Sequence, residues 1–87
     1  MPFLGRSVAA APAEPANVSI EGSLLKWSTS GNVRSVVYHT TDLAKTATVL
    51  AITDKNEWPA NASGHYAVST INIDNKESKL SLVVKKL

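Results

Sequence analysis

The chain has 87 residues, with nine Lys plus Arg against seven Asp plus Glu, a formal net charge of +2 and no cysteine. That length supports one domain around a single core, and the absence of cysteine excludes disulfide staples, thiolate zinc sites and cysteine nucleophiles. The basic residues are scattered, without the stripe and interleaved aromatics of a nucleic-acid binder, and no apolar run reaches the length of a membrane span, so neither nucleic acid nor membrane insertion is expected.

The opening, MPFLGRSVAAAPAEPANVSI, lacks the basic start and unbroken apolar stretch of a signal peptide, and Pro12 and Pro15 interrupt it. Residues 1–15 read as a linker with Ala/Pro stiffness, which predicts that the chain was cut from a longer polypeptide, with the folded domain at 16–87. Pro2-Phe3-Leu4 is the apolar group within that linker, with packing and solvation equally open.

From Ala16 onward the sequence reads as short strands divided by polar turns. In Ala16–Ile20, Val18 and Ile20 share a face; Glu21-Gly22-Ser23 marks a turn; Leu24–Ser28 then places Leu25 and Trp27 together. After the turn cluster Thr29-Ser30-Gly31-Asn32, Val33–Thr40 is β-branched and aromatic, as a strand should be. Thr41-Asp42 can cap one helical turn, so a loop or single turn is predicted before a strand near Thr48–Thr53. Pro59 beside Trp58 confines any strand there to an edge or a very short piece. His65–Asn72 alternates, with Tyr66, Val68 and Thr70 on one face and Ala67, Ser69 and Ile71 on the other. After a turn at Ile73–Glu77, the closing strand is expected to carry Leu80, Leu82 and Val84 in step. Six or seven strands with this spacing predict an all-β sandwich.

The polar residues do not assemble into a catalytic set. Asp74 with Glu77, and Asp54 with Glu57, lie in turns, where solubility and turn chemistry explain them better than a glycosidase pair does. The oxygens around Asp74-Asn75-Lys76-Glu77-Ser78 are too sparse for calcium. His39 and His65 lack a carboxylate at ligand spacing and read as surface histidines. The serines have no Gly-x-Ser-x-Gly elbow, and no glycine-rich phosphate loop occurs. Asn17-Val18-Ser19 and Asn61-Ala62-Ser63 fit the glycosylation sequon by spacing alone. No enzyme activity, metal or cofactor is therefore expected. Trp58 has two readings: a plug beneath its loop, which is favoured, or an exposed platform on which a sugar ring stacks, helped by Tyr38 or His65.

Several phrases in order resemble a fibronectin type III domain over roughly residues 15–85. They are Pro15-Ala16-Asn17-Val18, Leu25-Lys26-Trp27, Val36-Val37-Tyr38-His39 and Tyr66-Ala67-Val68, followed by Asn72 and Glu77-Ser78. The resemblance implies a seven-stranded immunoglobulin-like sandwich with Leu25, Trp27, Val37, Tyr66 and Val68 as structural landmarks. It also implies a tyrosine corner at Tyr66, whose hydroxyl would satisfy a backbone group upstream. Ser35 departs from the pattern, standing where an aromatic is usual, and so does Asn75-Lys76, where glycine is frequent; the Arg-Gly-Asp loop of some animal members is missing.

More narrowly, the stretch YAVSTINIDNKESKLS is similar to the closing strands of C-terminal modules in bacterial glycosyl-hydrolase-like proteins. This implies an exported parent and an extracellular, periplasmic or cell-surface location. The expected function is a monomeric, non-catalytic module that spaces, orients or docks the adjacent domain of its parent. The alternatives are polysaccharide binding through Trp58, Tyr38 and His65, and protein interaction through loops or an edge strand.

Overall fold

The repeated two-residue alternation becomes seven strands in a computed structural model, which describes residues 12–87. In chain order they are β1 (Ala16–Glu21), β2 (Leu24–Ser28), β3 (Arg34–Thr40), β4 (Thr48–Thr53), β5 (Glu57–Pro59), β6 (Gly64–Ile71) and β7 (Val84–Lys86). Among the described residues there is no helix. The strands form two antiparallel sheets, one ordered β1-β2-β5 and the other β4-β3-β6-β7. Of the linker expected at residues 1–15, residues 1–11, with Pro2-Phe3-Leu4, lie outside the described residues. Nearer the domain, Pro15 is buried and the Ala13 carbonyl accepts the Thr70 hydroxyl at 2.8 Å, so the chain already lies on the sandwich before β1 begins.

The core is the meeting of the two inner faces. Leu25 and Trp27 of β2, with Ala60 just after β5, face Val37 of β3 and Tyr66 and Val68 of β6. Val37 is the register partner of Val68, which puts both on the same inner face. Leu25, Val37 and Val68 are fully enclosed, and each such side chain contributes roughly 1.5–3 kcal/mol. Val18, Ile20, Trp58 and Val84 close the margins.

Local chemistry explains the turns. Gly22 takes φ +64 in the two-residue connection from β1 to β2, where Glu21 pairs with Leu24. Asp42 makes a tight turn rather than a helix: its carboxylate accepts the Ala44 N–H at 2.9 Å and its carbonyl accepts the Lys45 N–H at 3.0 Å. Between β6 and β7, the Asn72 side-chain oxygen accepts the N–H groups of Asp74 and Lys76 at 2.9 and 3.0 Å, and Asn75 takes φ +61 where glycine is frequent.

The closing segment departs from the expected strand, because regular pairing is confined to Val84–Lys86. Upstream, Ser78 and Ser81 bond β6 with their hydroxyls. The Thr70 N–H donates to Ser78 Oγ and the Val68 N–H to Ser81 Oγ, both at 2.9 Å, while the serine N–H groups donate back to the Thr70 and Val68 carbonyls at 2.8 Å. These side-chain acceptors replace backbone carbonyls and break the alternation. Leu82, expected in step with Leu80 and Val84, is 84% exposed as a result.

Candidate functional site

The outer face of the four-stranded sheet carries the surface most in need of explanation. Alternation places Val36 and Tyr38 of β3 outward, opposite the inward Val37. Register then sets Ile52, Val36 and Ser69 in one row across the sheet, and Val49, Tyr38 and Ala67 in the next. A bulge between these rows gives β4 an extra residue at Leu50. Beyond β6, Leu80 and Val83 line a groove of about 220 Å³ together with Tyr38, Ala67 and Leu43. Ile52, Val49, Leu80 and Val83 are 54, 49, 47 and 49% exposed. The outer face of a two-sheet sandwich is ordinarily the polar one.

Polar groups bound the groove at both ends. Thr40, His65 and Lys85 are register neighbours across one end, and Lys45 reaches the same groove from the β3–β4 loop. Toward the other end, one carboxylate oxygen of Glu77 accepts the hydroxyls of both Tyr38 and Ser69, and Glu77 bridges to Ile71. Burial first, then the Glu77 acceptor and its charge, hold the Tyr38 phenol above its ordinary range; the Ser69 hydroxyl partly opposes them.

The sequence-predicted binding residues separate between the two sheets. Tyr38 and His65 line the same groove, whereas Trp58 lies on β5 as the register partner of the core residue Leu25. Its indole is half-buried and packs against the core, so the three residues do not form one platform. The landmarks Leu25, Trp27, Val37, Tyr66 and Val68 all lie in the core cluster. The Tyr66 hydroxyl donates to the Ala62 carbonyl, four residues upstream, at 2.7 Å.

His39 has more work than a surface histidine. Its ring lies 4.7 Å from that of Tyr66, tilted by 49°. Its Nε2 is 2.9 Å from the Ser63 carbonyl; since a carbonyl only accepts, that nitrogen carries the proton. Gly64 makes this approach possible. At φ +129, a Cβ there would lie 2.7 Å from both His39 Nε2 and the Thr40 carbonyl oxygen.

Sequence reasoning missed the groove's own walls: Leu43, Lys45, Leu80 and Val83. The available signal was the run of large apolar residues at outward positions of the third and fourth strands, Val36, Tyr38, Val49 and Ile52. Among the described residues, no three His, Cys, Asp or Glu side chains gather as a metal site, and no helix is long and apolar enough to cross a membrane. No family model, curated protein or solved structure matches the chain.

Proposed function

We propose that this chain is a non-catalytic accessory module of the fibronectin type III kind, and that it docks the neighbouring domain of a larger exported bacterial protein through the outer face of its four-stranded sheet. The observation carrying the docking role is the cluster of exposed apolar residues on that face, Ile52 and Val49 on one side of the half-buried Tyr38 and Leu80 and Val83 on the other. A contiguous apolar patch rimmed by polar residues marks an interaction surface. The three-plus-four strand order and the Tyr66–Ala62 bond support the fold family. Sequence resemblance supports the glycoside-hydrolase parent and the extracellular, periplasmic or cell-surface location; fold alone assigns no activity.

The test is hydroxyl-radical footprinting of the module alone and within its longer protein. Protection of Ile52, Leu80 and Val83 in the longer protein is the expected result. Protection confined to β1, β2 and β5, or none, would remove this face as the docking surface. A saturable tryptophan fluorescence response to a soluble polysaccharide, abolished by Trp58→Phe, would replace docking with carbohydrate binding.

A further inference from the structure

The groove has a charge asymmetry that its apolar floor does not require. Lys45 lines it, His65 stands beside it, and Lys85 is the register partner of His65 on the same outer face. Glu77, the acid toward the opposite end, is engaged by two hydroxyls. Asp42, the acid nearest Lys45 in sequence, has one carboxylate oxygen turned back to the Ala44 N–H. Among the described residues the one ion pair is Lys26 with Glu21, on the other sheet. Lys45 and Lys85 therefore stand at the end of an apolar groove without a carboxylate partner among the described residues.

Resting on the docking reading above, we propose that the groove's occupant is an extended polypeptide segment with aliphatic side chains and a carboxylate at one end. The aliphatic groups cover Tyr38, Leu80 and Val83, and the carboxylate meets Lys45 and Lys85. The apolar contacts supply affinity, since burial of such area is the main favourable term in association. The two lysines set orientation, because charge complementarity across an interface fixes register and disfavours the wrong partner. A segment entering with a cation at that end meets like charge.

Two fluorescein-labelled peptides test this against the full chain by anisotropy. Both alternate leucine with threonine; one ends in two glutamates and its twin in two lysines. The glutamate peptide is expected to bind about tenfold or more tightly than the twin, with a preference that shrinks as salt rises. The double variant Lys45→Glu, Lys85→Glu should reverse the preference. The neutral double variant Leu80→Gln, Val83→Gln, at half-exposed positions, should weaken both peptides. Equal binding of the two peptides, abolished by the glutamine variant, overturns the acidic specificity and leaves the docking face standing. Binding that ignores the glutamine variant, or no binding by either peptide, overturns the occupant; footprinting in the longer protein then decides separately whether the face docks.

Discussion

The indole N–H of Trp27 donates to the Ser35 hydroxyl at 2.8 Å, and both residues are buried in the sandwich. The Ser35 hydroxyl satisfies the one donor of the indole. Ser35→Ala should cost about 1–3 kcal/mol, the range for leaving a buried donor unpaired. Urea denaturation reads this as a lowered midpoint with unchanged slope. An unchanged midpoint would show that the indole finds another acceptor.

Gly64 gives a prediction about the backbone. Alanine there combines a positive φ with 2.7 Å approaches to His39 Nε2 and to the Thr40 carbonyl oxygen. The carbonyl belongs to the backbone and cannot swing aside. Gly64→Ala should destabilise by about 1–3 kcal/mol, the range for a residue held in a sparsely populated backbone region. A thermal melt checks it. His39→Ala alone should not rescue the loss, because the backbone contact remains.

The Tyr38 phenol supplies a pH signature. Its proton is held more tightly in the folded chain than the ordinary value of 10.0 allows, chiefly through burial and then through Glu77. Below about pH 10 the phenol is protonated whether folded or unfolded, so its contribution is complete. Above that, the unfolded chain releases the proton first, and the contribution is lost as pH rises through the folded value. Wild type should therefore lose stability more steeply than Tyr38→Phe above pH 10. Parallel urea titrations of the two proteins, which share the lysine background, isolate the difference; equal slopes would refute it.

Ser78 and Ser81 should behave alike. Each accepts a β6 N–H through its hydroxyl, from Thr70 and Val68 respectively. Alanine at either position leaves a donor without its partner, at a cost of about 1–3 kcal/mol. Amide hydrogen exchange sharpens the test: Ser81→Ala should speed exchange at Val68 more than at Thr70, and Ser78→Ala should do the reverse.

Much of the fold was legible because alternation reports burial directly. Leu25 with Trp27, and Tyr66 with Val68, had one plausible direction each, and turn residues such as Gly22 and Asn75 marked where the chain reverses. The candidate site was far less legible. Outward positions are ordinarily polar, so the apolar residues at Val49 and Ile52 read simply as good strand formers. Trp58 was open to two readings, and its pairing with Leu25 and packing against the core agree with the favoured one, a plug, rather than with the sugar platform. His39 looked idle because its partners, Ser63 and Tyr66, meet it only after β3 and β6 align.

The serine hydroxyls also set the shape of the groove. Ser78, Ser81 and Val84 stand opposite Thr70, Val68 and Tyr66, so this segment advances three residues for every two of β6. Its repeat is a tripeptide, Ser78-Lys79-Leu80 followed by Ser81-Leu82-Val83. In an ordinary strand Leu80 and Val83, three apart, would point to opposite faces. With a period of three they occupy equivalent places and both line the groove. The wall of the candidate site is thus a product of broken alternation: restoring a regular strand here would turn one of the two side chains away and divide the surface that together they complete.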